Sequence, residues 1–198
     1  MMSRNKDETR QRILDAALAL AGEEGFAALG INAVARRAGA DKQLIYRYFG
    51  GLEGLLAAAG ADVAARMAAA LTPALVAPPD SYAELAERLA LALYDQMCAD
   101  SMYRQLRLME ASAPSPATDA FRAARGAALQ AWVVAARQGL AVPKGVDVPA
   151  LNAVIIAAVE GATILGPVGM ERGSDAARAR LIPVLRGLIR AGYAVGAE

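Results

Sequence analysis

The 198-residue sequence contains no histidine and a single cysteine, Cys98. A disulfide framework is therefore excluded, and so are zinc sites built on histidine or on paired thiols. The side chain that most often serves as a general base is also missing. No glycine-rich phosphate loop or nucleophile motif is present. We therefore predict neither an enzyme nor a metal site nor a bound cofactor.

Aromatic and β-branched residues are scarce as well. Aromatics make up 5% of the chain, and valine, isoleucine and threonine together number 25, against 49 alanines. Alanine loses the least on entering a helix, whereas β-branched residues suit strands, so we predict an all-α fold. Glycine and proline interrupt the sequence often enough to give about nine helices. We expect a small N-terminal domain, residues 1–51, and a larger helical domain, residues 52–198.

Charge of one sign is not in excess, since 21 Lys and Arg face 20 Asp and Glu. Any nucleic-acid role must therefore come from a local patch. The first residues carry charges where a signal peptide needs an apolar run, so we expect a cytoplasmic protein. The apolar stretch 150–169 has Glu160 at its centre, which favours a buried or interface helix over a membrane span.

The segment between Gly25 and Phe49 carries the functional signal. Its spacing predicts a helix over Ile31–Ala38, a turn at Gly39 and a second helix over Lys42–Phe49, which is typical of a helix-turn-helix. Four cations, Arg36, Arg37, Lys42 and Arg47, outnumber Asp41 there, and a phosphate backbone is the obvious partner. An ordinary helical hairpin with solvated charges is the alternative.

The same segment resembles the DNA-binding domain of the TetR (tetracycline-repressor-like) transcriptional regulators. The resemblance rests on Gly25-Phe26, on Ile31–Gly39, on the Ile45-Tyr46-Arg47-Tyr48-Phe49 run and on Leu55-Leu56. It covers roughly residues 9–56. It implies that domain 1–51 is a three-helix DNA-binding domain. The remainder then serves effector binding and dimerisation.

Side-chain chemistry and the resemblance together select the DNA-binding residues. Tyrosine hydroxyls can donate to phosphate, and glutamine and arginine carry donor patterns that suit adenine and guanine edges. The resemblance places the first three residues of the second helix at major-groove positions. The predicted set is Gly30, Asn32, Lys42, Gln43, Leu44, Tyr46, Arg47 and Tyr48.

Three residues depart from the family pattern. Leu29 and Gly30 replace the usual hydroxyl residues before the helix Ile31–Ala38, so Gly30 must cap that helix through its backbone. Leu52 replaces a lysine that commonly opens the fourth helix and grips the DNA backbone. We expect compensation from an N-terminal arm with four cations, which are Arg4, Lys6, Arg10 and Arg12.

The last two predicted helices are apolar and regular, which favours close helix packing. In TetR-like proteins the corresponding pair builds a four-helix dimer interface, so we predict a homodimer. Packing within one chain is the alternative. The interface residues would be Ala157, Gly161, Leu181, Leu185 and Leu188.

The middle helices hold most of the remaining bulky side chains. Their helical spacing fits a plain core, while methionines and aromatics around a few polar groups also suit an adaptable pocket. The resemblance implies an effector cavity in this region for a small organic molecule. The candidate lining is Tyr94, Met97, Tyr103, Met109, Glu110 and Trp132.

Together these features predict a repressor that binds a palindromic operator on double-stranded DNA as a homodimer and is released by an effector. One alternative is a DNA-binding protein without a small ligand, controlled by a protein partner. Another is an all-helical enzyme or carrier that uses carboxylates such as Asp95 and Asp100.

Overall fold

A computed structural model describes residues 2–112, 114–137, 139–167 and 169–194, with side chains from Lys6 onward. Within these ranges the regular structure consists of nine α-helices and two short 3₁₀ segments, and no β-strand occurs. The α-helices in chain order are α1 (Met2–Glu24), α2 (Ile31–Ala38), α3 (Lys42–Phe49), α4 (Leu52–Leu71), α5 (Tyr82–Ala99), α6 (Ser101–Ser112), α7 (Pro116–Ala136), α8 (Val148–Ile164) and α9 (Asp175–Ala194). The predicted all-α class with about nine helices is confirmed.

Local chemistry explains where several helices begin. Ser81 caps α5 because its hydroxyl accepts from the Glu84 amide at 3.2 Å, and the Glu84 carboxylate accepts from the Asp80 amide at 2.7 Å. This is a capping box, which satisfies two amides that a helix start leaves open. Asp147 caps α8 with its own carboxylate alone, which accepts from the amide of Ala150 at 3.0 Å.

The chain forms two compact units. The first unit comprises the residues up to Met67 together with Met102–Trp132. Its interior includes side chains from α1, α2, α3, α4, α6 and α7, among them Ile13, Val34, Ile45, Leu55, Leu106 and Phe121, all at most 2% exposed. Burying each such side chain contributes about 1.5–3 kcal/mol.

Helices α6 and α7 belong to the first unit because they touch the N-terminal helices directly. The rings of Phe26 and Phe121 meet edge to face with centroids 5.0 Å apart. Gly60 of α4 lies so close to α7 that a β-carbon there would be 2.3 Å from the Phe121 carbonyl oxygen. The compact units thus group α6 and α7 with residues 1–51, whereas the division of function at residue 51 stays a prediction.

The second unit comprises Ala68–Ser101 and the described residues from Val133 onward. Helices α8 and α9 both pack against α5 there. The Tyr193 hydroxyl of α9 donates to Asn152 Oδ1 of α8 at 2.8 Å, and Tyr82 of α5 approaches the Tyr193 ring at 6.4 Å. Burial raises the pKa of Tyr193 above its ordinary value, and the hydrogen bond to Asn152 opposes that rise.

One described segment, Leu52–Leu75, is long and apolar enough to cross a membrane by length and composition. It includes all of α4. Within α4, Leu55 and Leu56 are at most 1% exposed, and Arg66 pairs with Asp62 at 2.8 Å. This packing is that of a core helix.

Candidate nucleic-acid interface

A left-handed residue makes the turn between α2 and α3. Gly39 has φ 57° and ψ 41°, a conformation that a residue with a β-carbon resists. The amide of Ala40 donates to the carbonyl of Ala35 at 3.0 Å, which closes the end of α2. Asp41 then caps α3, because its carboxylate accepts from the Gln43 amide at 2.8 Å. The bounds of both helices agree with the sequence prediction.

Helix α3 has a buried side and an exposed side. Ile45 is completely buried, and Leu44 is half-buried. Lys42, Gln43, Tyr46 and Arg47 are exposed, Tyr46 at 54%. At 100° per residue these four side chains share one side of the helix. A tyrosine with half of its surface in water is available to a partner, so this side of α3 fits the predicted contact with DNA.

Gly30 and Asn32 stand at the start of α2. Gly30 has extended backbone, and its carbonyl accepts from the Val34 amide at 2.9 Å without a side-chain cap. Asn32, in the first turn, is exposed. The predicted backbone cap at Gly30 is therefore present, while the role of Asn32 on DNA stays a prediction.

Two cations of α1 lie over aromatic rings of α3. Lys6 Nζ is 5.9 Å from the centroid of the half-buried Tyr48, and the guanidinium of Arg10 is 5.2 Å from that of Phe49. Cation–π attraction of this kind fixes α1 against the end of α3. These positive charges accompany the exposed side of α3. The side chain of Arg4, the first residue of the predicted arm, lies outside the described residues.

Two predicted cations have partners within the protein. Arg37 forms a bidentate pair with Glu23 of α1, at 2.7 and 2.5 Å. The hydrogen bond from Arg37 holds the pKa of Glu23 below its ordinary value. Arg12, expected in the DNA-binding arm, instead donates its Nε to the Ala38 carbonyl at the end of α2 at 3.0 Å. The positive charge available to phosphate is therefore centred on Arg36, Lys42 and Arg47.

The start of α4 is joined closely to the end of α3. A β-carbon on Gly54 would lie 1.9 Å from the Phe49 carbonyl oxygen, so only glycine permits this approach. Leu52, in the place of the family's lysine, is half-buried.

An open depression of about 600 Å³ lies within the first unit, between residues 50–54 and residues 120–124.

The six predicted pocket residues do not all lie in one compact unit. Tyr94 and Met97 lie in the second unit, where both are at most 2% exposed, and burial raises the pKa of Tyr94. The other four, Tyr103, Met109, Glu110 and Trp132, lie in the first unit. Their common role as an effector site stays a prediction.

In the first unit, sequence reasoning missed a buried arginine. Arg125 of α7 is 8% exposed, and it donates to the Tyr103 hydroxyl at 3.2 Å and to Glu110 Oε1 at 3.1 Å. Glu110 is 1% exposed and is also paired with Arg107 and, at 3.6 Å, with Arg122. Of the residues selected from the sequence, Tyr103 and Glu110 thus belong to a charge cluster, which had no sequence signal beyond scattered arginines.

Most of the predicted interface residues present apolar surface. Ala157 is exposed, Gly161, Leu181 and Leu185 are half-buried, and Leu188 is 61% exposed. Sequence reasoning missed three further members of the same surface, which are Val154, Leu165 and Val184, at 67%, 83% and 60%. Val154 and Ala157 lie opposite the buried Ile155 and Val159 of α8, and Val184 and Leu188 lie opposite the buried Ile182 and Ile189 of α9.

A second depression, of about 510 Å³, lies on the second unit between α5 and α9. Its lining includes Glu84, Glu87, Arg88, Arg186 and Arg190. Glu87 pairs with Arg186 at 2.9 Å and with Arg190 at 2.8 Å. Among the described residues, no group of three or more carboxylates or thiols is arranged to hold a metal ion.

Comparison with known protein families finds one family whose model matches the N-terminal region. The model of the bacterial regulatory proteins of the tetR family matches residues 13–59, which run from α1 into α4. The match contains the whole of the turn at Gly39 and the exposed side of α3. No curated protein has a matching sequence.

Several solved structures share the fold over nearly the whole chain. A TetR family transcription regulator from Marinobacter aquaeolei VT8 is 20% identical, with a TM-score of 0.62 over 97% of this chain and 98% of that one. FadR from Bacillus subtilis, solved in complex with stearoyl-CoA, is 17% identical, with a TM-score of 0.62 over 92% and 98%. The multidrug binding protein EbrR, complexed with ethidium, is 24% identical, with a TM-score of 0.58 over 89% and 98%.

Proposed function

We propose that this chain, whose residues 13–59 match the model of the tetR family of bacterial regulatory proteins, is a regulator of that family that represses transcription by binding a palindromic operator as a homodimer. A small organic effector would release it from the operator. Such a protein works in the cytoplasm, where the DNA is, and needs no catalytic activity. The observation that carries the proposal is the exposed side of α3, where Lys42, Gln43, Tyr46 and Arg47 stand together.

This side of α3 combines two kinds of contact. Lysine and the tyrosine hydroxyl suit phosphate oxygens, which position a protein on the duplex. Gln43 and Arg47 suit base edges in the major groove, which carry the sequence information. Arg37 takes no part, because Glu23 neutralises it.

The apolar surface on α8 and α9 supports the homodimer. Val154, Leu165, Val184 and Leu188 are each at least 60% exposed. Apolar surface of this kind on two neighbouring helices marks an interaction site. A second copy of the same surface would cover it around a two-fold axis, and the two α3 helices would then address two half-sites of a palindrome.

Effector release is supported by what related folds bind. FadR is solved with stearoyl-CoA and EbrR with ethidium, so this fold accommodates organic molecules of different chemistry. In this chain the effector would act on α6 and α7, because these helices contact the N-terminal helices within the first unit. The coupling free energy between two such sites is typically about 1–3 kcal/mol.

Selection of bound duplexes from a random pool tests the proposal. We expect a palindromic sequence whose affinity falls steeply with salt, since bound phosphates release counterions. Arg47→Ala should weaken binding by about 1–3 kcal/mol, or roughly 5- to 150-fold, and Tyr46→Phe should weaken it less. Arg180→Ala, which removes an exposed arginine of the second unit, is the matched control. Unchanged affinity in both α3 variants would contradict the assignment of α3.

A further inference from the structure

The buried charge cluster of the first unit contains an arginine whose donors are only partly used. Arg125 carries five N–H donors, and its two terminal nitrogens reach Tyr103 and Glu110. Its Nε is buried and has no hydrogen-bond partner. A buried donor without a partner costs free energy, and a group that supplies an acceptor there gains by binding.

The acceptor that Arg125 does use is shared. Glu110 Oε1 lies 3.1 Å from Arg125 and 3.6 Å from Arg122, while Oε2 is engaged by Arg107. One carboxylate thus serves three guanidinium groups. Arg125 receives a single carboxylate oxygen, although a guanidinium binds a carboxylate best through two parallel hydrogen bonds.

We propose that Arg125 is the anchor of an acidic effector, whose carboxylate binds Nε and one terminal nitrogen of Arg125 in competition with Glu110. The inference rests on the proposed function and names the chemical class of its effector. Leu106 and Phe121 lie one helical turn before Glu110 and Arg125 and are at most 2% exposed. The effector is therefore an organic acid with an apolar body.

Glu110 and Arg125 both adjoin contacts to the segment that leads from α1 into α2. Met109 precedes Glu110, and its sulfur lies 3.7 Å from the position that a β-carbon on Gly25 would take. Phe121 lies one turn before Arg125 and meets Phe26 with ring centroids 5.0 Å apart. Separating Glu110 from Arg125 loosens α6 from α7, and both contacts lie on the segment that leads from α1 into α2.

Thermal melting without DNA tests the site on the full chain. The probes are octanoate and benzoate, with octanol and benzyl alcohol as matched neutral molecules and inorganic phosphate as the other oxyanion. At about ten times its Kd, an acid should raise the Tm of the wild type by about 3–6 °C, and the alcohols should raise it far less. Phosphate alone should give no rise, because it lacks an apolar body.

Variants assign the effect to Arg125. Glu110→Gln removes the competing carboxylate, so the acids should act at lower concentration. Arg125→Gln leaves Glu110 its pairs with Arg107 and Arg122 but takes away one of its three cations. The double variant Glu110→Gln/Arg125→Gln, which removes the buried carboxylate together with the buried guanidinium, is therefore used to remove the anchor. There the acids should lose their effect. Arg66→Gln is the matched control, because Arg66 is an ion-paired arginine of the same unit.

The proposal is overturned if neither acid raises the Tm, if the alcohols raise it equally, if phosphate alone reproduces the effect, or if the double variant keeps it. These outcomes are separate from the proposed function, because the melting experiment contains no DNA. Failure to select a duplex would overturn the regulator and leave the melting result in force. Acids that raise the Tm only in the presence of Arg125 establish the site.

Discussion

Substitution of Gly60 by alanine tests the packing of α4 against α7, the contact that brings α7 into the first unit. The new β-carbon would lie 2.3 Å from the Phe121 carbonyl oxygen and 3.2 Å from the Arg125 amide nitrogen. Both neighbours are backbone atoms, which cannot rotate away. Restoring an ordinary contact needs a movement of about 1 Å between the two helices.

The expected free energy combines two opposing effects. Overpacking of this severity costs about 3 kcal/mol, the upper part of the usual range, because two backbones must separate. Alanine in a helix interior returns about 1 kcal/mol relative to glycine. The net loss is about 2 kcal/mol, which lowers the Tm by roughly 4–8 °C in a chain of this length.

Gly126→Ala provides the matched control. Gly126 is an exposed position inside α7, and a β-carbon there would meet nothing within 4 Å. This variant should therefore be more stable than the wild type by about 0.5–1 kcal/mol. Thermal melting followed by circular dichroism measures both variants. Equal or greater stability of Gly60→Ala relative to Gly126→Ala would refute the close approach of α4 and α7.

The remaining predictions concern the two surfaces and one buried tyrosine. If the proposed homodimer forms through α8 and α9, Leu188→Glu should convert it to a monomer in sedimentation, whereas Val142→Glu, at a similarly exposed loop position, should not. Arg36→Ala should weaken operator binding more than Arg37→Ala, because Glu23 already neutralises Arg37, and anisotropy titrations measure both. Because burial raises the pKa of Tyr193, its stabilising contribution is complete below about pH 10 and is lost as the pH rises further. Urea midpoints should fall there in the wild type and less in Tyr193→Phe.

Where signals are local, the sequence was sufficient to predict the structure. The bounds of α2 and α3 followed from Gly39, Asp41 and Gly50, because a left-handed turn and an N-cap depend on residues only a few positions away. The exposed side of α3 followed from helical spacing around Ile45 for the same reason. The helices of the turn and the exposed side of α3 were therefore largely predictable from the sequence.

Contacts between residues that are distant in the chain could not be predicted from the sequence. Arg37 pairs with Glu23 fourteen residues away, and Arg12 caps a helix that ends 26 residues later. In the sequence, each of these arginines looks like an exposed helical cation that would bind phosphate. The packing of α1 on α2 decides which arginines form hydrogen bonds within the protein. The sequence alone therefore overestimated the number of arginines that are available to phosphate.

The surroundings of the predicted pocket residues were the hardest feature to predict from the sequence, for a related reason. The sequence singled out Tyr103 and Met109 on α6 as bulky side chains and Glu110 as a polar group beside them. The chemistry of Tyr103 and Glu110 depends on Arg125 of α7, an arginine that looks like any solvated cation in a helix. Burial makes it different, because in a low-dielectric interior each charge needs a partner and a spare donor attracts one. A regulator of the proposed kind, which responds to an effector, would benefit from this incomplete satisfaction, since a fully paired cluster would have no partner to exchange. The position of that cluster on α6 and α7, which touch Gly25 and Phe26, would give such an exchange a direct route to α2 and α3, the helices proposed to bind DNA.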